Sequence, residues 1–262
     1  MALDSSKITR SLDQTSHEIN KSFAKLSSGK RINKASDDAA GLAIVSALEA
    51  DVKTTLQGAR NSLDGISITS IADGALGTVS DITSRQQELA AQSANGSLSD
   101  TQRQSLNDEF QSLEQEKNRV LQTTQFNGVN VFNGATLQVG NDGSANSQIS
   151  VPSVSTSSVT SAQNIGTQGG AQSAIDSLKN QNQSISAVRG QIGASVSRIE
   201  SADRNARSSA VEFEAAASRI RDADYAQETA NLTANSIRQH TSTALSAQAN
   251  KLNSDSVLKL LS

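Results

Sequence analysis

The clearest pattern in the chain lies in residues 192–220, IGASVSRIESADRNARSSAVEFEAAASRI. One set of residues recurs there at alternating spacings of four and three, which places the set on one face of an α-helix and is the heptad pattern of a coiled coil. The positions on this face are Ile192, Val196, Ile199, Asp203, Ala206, Ala210, Phe213, Ala217 and Ile220. Asp203 is the single charged member. The pattern predicts a long helix that packs closely against other helices.

The composition of the whole chain agrees with helix packing through small side chains. Of 262 residues only 2% are aromatic, and the apolar share is 35%, below the roughly 45–50% of a globular domain on a count that also includes Gly. The one proline is Pro152, so long helices are permitted on both sides of it. The absence of Cys excludes disulfides, thiolate metal sites and thiol nucleophiles.

Helical periodicity continues outward from this stretch in both directions. We predict a first helix from about Ser5 to Ser27, a second from an N-cap at Ser36 to about residue 95 with a slip near Ile71, and a third from near Ser99. The heptad helix is extended loosely upstream by Ile175, Leu178, Ile185 and Val188. A final helix covers about residues 225–261.

The segment of residues 126–168 has a different character. Two Asn-Gly pairs, at 127–128 and 133–134, flank alternating apolar residues, which predicts a β-hairpin. Residues 141–163 are rich in Ser, Thr, Asn and Gly and predict an exposed tip. The expected fold is therefore mainly α: a long antiparallel helical coiled-coil or bundle rod with a small β-hairpin tip, and with the N- and C-terminal helices paired.

The chain carries no pattern typical of catalysis or of a cofactor, so we expect no enzyme and no cofactor. His17 and His240 are two isolated histidines, too few for a closed zinc site. The net charge of −3 does not favour nucleic-acid binding, and no apolar run is long enough to span a membrane. Residues 1–34 carry seven basic and three acidic side chains, which favours an interface helix over membrane insertion.

Several stretches together carry a resemblance to bacterial flagellin. They are LSSGKRIN at 26–33, DDAAGLAI at 37–44, DGIS at 64–67, ELAAQSAN at 88–95, TQFNG at 124–128, SRIRDADYA at 218–226 and AQAN at 247–250. The chain departs from the family at 251–253, KLN, where a Pro is common, and lacks large variable outer domains. It resembles a short, minimal flagellin.

The resemblance implies a subunit of the extracellular flagellar filament, used for motility and exported by the flagellar type III apparatus without a cleaved signal peptide. Its domains would be an inner-tube domain, an outer-tube helical rod and a tip. The inner-tube halves would be 1–35 and 222–262, the outer-tube parts 36–125 and 169–221, and the tip 126–168. The implied partners are further copies of the chain, an export chaperone, the filament cap and hook-junction proteins.

The resemblance also implies sites. The inner-tube polymerisation residues would be Ile8, Leu12, Ile19, Phe23, Leu26, Leu232, Ile237, Leu245, Leu252, Val257, Leu258 and Leu261. A surface sensed by the vertebrate flagellin-specific Toll-like receptor would include Arg85, Leu89 and Glu116, although Gln86 and Gln87 depart from the family's usual pair. Candidate O-glycosylation positions in the tip are Ser153, Ser155, Thr156, Ser157, Ser158 and Thr160.

Two alternatives remain open at this point, and a third does not fit the short variable region of the chain. A hook–filament junction protein shares flagellin-like ends. A flagellin with an enzyme domain would need a longer variable region. A soluble adaptor coiled coil would form a stable, ordered monomer and no filaments.

Overall fold

A computed structural model describes residues 5–160 and 163–261, with the side chains at 5, 156, 253 and 255–261 outside the description. The helices in this part of the chain are α1 (Ser5–Ser28), α2 (Ala39–Ser93), α3 (Asp100–Thr123), the single-turn α4 (Thr156–Val159), α5 (Gln168–Arg221) and α6 (Tyr225–Leu261). Two antiparallel hairpins are formed by β1 (Gln125–Phe126) with β2 (Val129–Asn130) and by β3 (Ala135–Gln138) with β4 (Gln148–Val151). The prediction of a mainly α protein with a small β part is confirmed.

The chain divides into two compact units. The terminal unit comprises the chain up to Ala50 and from Glu212 onward, and the central unit comprises Asp51–Val211. Helices α2 and α5 contribute residues to each unit, so the division falls inside helices.

In the central unit, α2 lies antiparallel to both α3 and α5. Arg85 of α2 pairs with Glu109 of α3 at 2.8 Å, and Arg189 of α5 pairs with Asp73 of α2 at 2.7 Å. Between the helices lie two apolar clusters. Their buried members on α2, α3 and α5 are Ala72, Leu76, Val79, Leu121, Ile185 and Ile192 in one, and Leu89, Ala90, Phe110, Ala171, Ala174 and Leu178 in the other.

The heptad face that was predicted on α5 is largely buried. In the central unit Ile192, Ile199, Ala206 and Ala210 are buried, and Asp203 is half-buried. The Asp203 carboxylate accepts a hydrogen bond from Arg207 Nε at 2.9 Å, one helical turn further on. The prediction of a packing seam is therefore confirmed, and its one charged member is paired at the edge.

The predicted β-hairpin is confirmed, with its turn at the first Asn-Gly pair. Phe126 pairs with Val129, so Asn127 and Gly128 form a two-residue loop. Their φ angles are 49° and 79°, the left-handed pair that a type I′ turn needs and that an Asn-Gly sequence favours. The second Asn-Gly pair does not make a hairpin. Its Asn133 ends a short 3-10 turn, and Gly134, with φ of 76°, leads into β3.

The prediction of an exposed tip at residues 141–163 is confirmed for most of that segment, but single apolar side chains within it are buried. Residues 141–146 are exposed, but four apolar side chains further along the segment are buried, namely Ile149, Val151, Val154 and Val159. Alternating side chains of β4 point inward, and Ile149 and Val151 pack with Leu137, Val139 and Ile199. The polar composition concealed this because single apolar residues between Ser and Thr suffice to anchor a strand.

Two glycines in the middle of α2 explain how the second hairpin lies so close to the helix. A Cβ at position 58 would overlap the carbonyl of Val139, and one at position 65 would overlap the side chain of Leu137. Glycine costs helix stability, so its presence here reflects close approach of a neighbouring segment.

The start of α2 also differs from the prediction. Ser36 lies in a turn that precedes the helix, and the N-cap is Asp38, whose Oδ1 accepts a hydrogen bond from the Gly41 amide at 2.8 Å. Asp37 instead closes the turn by accepting from the amides of Asn33 and Lys34. The slip in periodicity near Ile71 does not interrupt the helix, since burial passes to Ala72, Leu76 and Val79.

Candidate assembly surface

In the terminal unit, α1 packs on α6 through a regular seam. Its positions on α1 follow heptad spacing and are all buried or half-buried: Ile8, Leu12, Thr15, Ile19, Ser22 and Leu26. The corresponding buried or half-buried positions on α6 are Glu228, Leu232, Asn235, Gln239, Ser242, Ser246 and Ala249. The predicted pairing of the terminal helices is thereby confirmed.

Polar contacts fix the antiparallel direction of this pair. Tyr225 Oη donates to the carbonyl of Leu26 at 2.8 Å, at the start of α6 and the end of α1. One turn further along α6, the Glu228 carboxylate accepts from Ser22 Oγ at 2.6 Å. Lys25 Nζ lies 3.5 Å from the same carboxylate.

The pairing continues along both helices, where Gln239 Nε2 donates to Ser16 Oγ at 3.1 Å. At the other end, the chain beyond α1 lies beside the α5–α6 link: the Ala223 amide donates to the carbonyl of Gly29, and the Arg31 amide to that of Arg221.

Helix α6 differs from α1 in which of its faces is apolar. The seam that α6 turns toward α1 is mostly polar, whereas a second face, about half a turn away, is mostly apolar and has every member exposed. We call this the outer face of α6; its members are Ala226, Ala230, Ala234, Ile237, Thr241, Leu245, Gln248 and Leu252. Ile237 is 62% exposed, Leu245 49% and Leu252 50%. An isolated soluble helix pair would bury these side chains, so the outer face is suited to contact with another molecule.

The predicted polymerisation residues therefore fall into two groups. Ile8, Leu12, Ile19, Leu26 and Leu232 belong to the seam within one chain. Phe23, at 56% exposed, and the three residues Ile237, Leu245 and Leu252 are available to a partner. The side chains of Val257, Leu258 and Leu261 lie outside the described residues. Sequence periodicity alone does not separate the groups, because α6 has two faces at heptad-like spacing.

The three predicted receptor residues do not share one surface. Arg85 is exposed and pairs with Glu88 and Glu109, and Glu116 is half-exposed and pairs with Arg119. Leu89 is only 1% exposed and belongs to the cluster around Phe110. The expectation that Leu89 is accessible is wrong, because that edge of α2 faces α3 and α5.

Most of the candidate glycosylation positions are accessible. Ser153, Ser155, Ser157 and Ser158 are exposed, and Thr160 is half-buried. The Ser158 hydroxyl donates to the carbonyl of Ser155 at 2.7 Å. The side chain of Thr156 lies outside the described residues.

Within the described residues there is no group of three or more His, Asp and Glu side chains that could hold a metal ion. His17 and His240 are both exposed. None of the described helices is long and apolar enough to cross a membrane.

Comparison with known protein families gives the chain its family. The model of the bacterial flagellin N-terminal helical region matches residues 2–136, and that of the C-terminal helical region matches residues 173–261. The chain belongs to the bacterial flagellin family. As a flagellin-family protein it is a structural subunit of the flagellar filament and not an enzyme.

Individual relatives agree over nearly the whole chain. A flagellin of Halalkalibacterium halodurans is 40% identical over 248 residues, which is 92% of this chain and 91% of that protein. The flagellar filament 30.7 kDa core protein of Treponema maltophilum is 32% identical over 97% of this chain and 95% of that protein. Among solved structures, Bacillus cereus flagellin is 28% identical with a TM-score of 0.51, over 56% of this chain and 88% of that one.

Proposed function

We propose that this flagellin-family chain polymerises into the filament through the outer face of α6 together with Phe23 of α1. The observation that carries the proposal is the exposed apolar row of Ile237, Leu245 and Leu252 on a helix whose polar side is already paired. Contacts between unlike surfaces of identical chains propagate into a helical polymer when they do not close into a ring. The same row makes an ordered, soluble adaptor coiled coil a poor description of the chain.

The free energy of association that these side chains contribute is large enough to measure. Burying an Ile or Leu side chain contributes about 1.5–3 kcal/mol, and each 1.4 kcal/mol changes an association constant about tenfold. Replacing both Ile237 and Leu245 with Ser should therefore raise the critical concentration of polymerisation by about 100-fold or more. The full chain would be seeded with filament fragments, and the pelleted fraction measured and inspected by electron microscopy.

The matched control is Val129→Ser, because Val129 is 62% exposed in the β1–β2 hairpin of the central unit. It should polymerise like the wild-type chain. If the wild-type chain stays monomeric under every seeding condition, or if the Ile237→Ser/Leu245→Ser variant polymerises as well as the control, the proposal is wrong.

The same proposal assigns a place in the filament to each segment of the chain. Residues 1–35 and 222–262 would form the inner tube, 36–125 and 169–221 the outer tube, and 126–168 the outward tip. Family membership supports an extracellular location after export through the flagellar apparatus without a cleaved signal peptide. It also supports an export chaperone, the filament cap and hook-junction proteins as partners.

A second candidate activity is recognition by the vertebrate flagellin-sensing Toll-like receptor. The supporting observation is the exposure of Arg85 and the partial exposure of Glu116 on α2 and α3, with Leu89 acting only as core support. Reporter cells should respond to the wild-type chain and respond less to Arg85→Ala and Glu116→Ala. A wild-type chain that leaves the cells silent would end this proposal.

A modification of the tip is the third candidate. The exposed hydroxyls of Ser153, Ser155, Ser157 and Ser158 are accessible acceptors for O-linked sugars, and Thr156 and Thr160 share the segment. The intact mass of the protein from native filaments should exceed that of the bare chain. A mass equal to the bare chain would refute the modification.

A further inference from the structure

The terminal unit contains a basic cavity that is separate from the outer face of α6. It has a volume of 360 Å³ and lies between the C-terminal half of α1 and the turn that follows it. The charged side chains that line it are Lys21, Lys25, Lys34 and Asp37. Three ammonium groups thus border the cavity with one carboxylate.

The single carboxylate does not neutralise this charge. Asp37 Oδ2 already accepts hydrogen bonds from the amides of Asn33 at 3.1 Å and Lys34 at 3.0 Å. These two bonds, followed by the charges of Lys21 and Lys25, hold the pKa of Asp37 below its ordinary value. The Asp37 carboxylate therefore stays ionised and closes the turn that forms one wall.

The three lysines differ in whether they already form an ion pair within the chain. Lys25 lies 3.5 Å from Glu228 in the α1–α6 seam. Lys21 and Lys34 are exposed, and among the described residues neither forms an ion pair. The cavity therefore offers two uncommitted ammonium groups to an anionic group from outside the chain.

The same unit carries uncommitted carboxylates. Glu212 and Glu214, near the end of α5, are exposed, and within the described part of the chain neither has a cationic partner. Asp222 and Asp224 are engaged, since Asp222 accepts from Ser218 and Asp224 caps the start of α6. Because all copies in a filament are identical, every copy brings both the basic cavity and the free glutamates, and such complementarity fixes register and orientation.

We infer that in the filament the cavity bordered by Lys21 and Lys34 receives a carboxylate from a neighbouring copy, supplied by Glu212 or Glu214. The inference rests on the proposed function, because it requires copies to assemble. This polar contact would act together with the apolar contact made by the outer face of α6. It would set the orientation of neighbouring copies. The contact is solvent-accessible at its edge, so salt should weaken it.

The test is the seeded polymerisation of a Lys21→Glu/Lys34→Glu full chain at two salt concentrations. At about 0.1 M salt, where charges act over about 10 Å, we expect the critical concentration to rise by about tenfold or more. At about 1 M salt, where this distance falls to about 3 Å, the difference should shrink to about twofold. Far-UV circular dichroism of the monomers checks that the variant is folded.

Two further variants make the test specific. Lys53→Glu/Lys179→Glu changes the net charge equally at exposed lysines of the central unit and should polymerise like the wild-type chain. A chain with Lys21→Glu, Lys34→Glu, Glu212→Lys and Glu214→Lys exchanges both sides of the contact and should recover assembly at low salt.

Other outcomes overturn the inference in distinguishable ways. If the wild-type chain polymerises and the cavity variant polymerises equally well at low salt, the inference fails and the proposed function stands. The same holds if the exchanged chain does not recover. Binding of wild-type monomer to anionic vesicles that the cavity variant loses, with assembly unchanged, would assign the cavity to a membrane surface instead. A wild-type chain that never polymerises removes both the proposed function and this inference.

Discussion

Lys117 Nζ lies 2.8 Å from Glu114 Oε2 in the interior of the central unit, where the lysine side chain is 0% exposed. The ammonium group also donates to Gln86 Oε1 and Gln181 Oε1, each at 3.0 Å. Gln86 in turn donates to Glu114 at 2.9 Å. One cation thus joins α2, α3 and α5, and its three hydrogen-bond donors have three acceptors.

Replacing this lysine by an apolar side chain of similar length should destabilise the protein strongly. Lys117→Met leaves a largely buried carboxylate and two buried amides without their cation, and removing one partner of a buried pair costs about 3–5 kcal/mol. We expect the free energy of unfolding to fall by about 3 kcal/mol, measured by urea denaturation of the monomer.

The exposed Lys179 of α5 provides the control. Lys179→Met should change the free energy of unfolding by less than about 0.5 kcal/mol. The Lys117→Met/Glu114→Gln double variant should lose less than the sum of the two single variants, because the two side chains interact directly. Strict additivity, or a Lys117→Met loss no larger than that of the control, would contradict the assigned network.

The same lysine predicts a dependence of stability on pH. Burial lowers the pKa of Lys117 below its ordinary 10.5, and the nearby Glu114 opposes this only in part. Between the lowered pKa and 10.5 the unfolded chain binds more protons than the folded chain, so the free energy of unfolding rises with pH across that window. The difference between wild type and Lys117→Met, from urea denaturation at a series of pH values, should therefore grow toward pH of about 10.5. A difference that shrinks over this range would reverse the assigned sign.

Gly58 should be the least replaceable glycine of α2. An added Cβ there would meet the backbone carbonyl of Val139, which has no flexible end to move aside. Although Ala favours a helix by about 1 kcal/mol over Gly, overpacking costs about 1–3 kcal/mol, so Gly58→Ala should destabilise the protein. Gly74→Ala, on the same helix with open space around it, should stabilise it by up to about 1 kcal/mol. Urea denaturation compares the two, and equal effects would show that Val139 does not restrict position 58.

The sequence predicted the parts of the fold that follow from patterns of neighbouring residues. The α5 seam and the Asn127-Gly128 turn each follow from local chemistry that the structure confirms. The pairing of β3 with β4 did not follow, because β4 is anchored by Ile149 and Val151 among Ser and Gln, and its partner face on α5 is distant in the chain.

Prediction of the assembly surface was also limited, because it depends on contacts between residues that are distant in the chain. Ile237 and Leu232 are both apolar and both at helical spacing, and only the tertiary pairing of α6 with α1 shows that Leu232 is half-buried while Ile237 is exposed. The network around Lys117 was missed entirely. A lysine in a polar stretch of α3 predicts a solvated side chain, and its burial depends on Gln86 and Gln181 from two other helices.

We expect Glu228 to hold α6 against α1 in the monomer, before assembly. Glu228 is 8% exposed and joins Ser22 and Lys25 of α1, and a hydrogen bond to a charged group contributes about 1.5–3 kcal/mol. Glu228→Ala should lower the free energy of local opening by about 1.5 kcal/mol and so speed hydrogen exchange of α1 amides near Ser22 about tenfold. Exchange would be followed by mass spectrometry of the purified monomer, with the exposed Glu18→Ala as the control. If wild-type α1 exchanges as fast as an unstructured chain, the pairing forms only in the polymer; if Glu228→Ala matches the control, the carboxylate does not hold the two helices together.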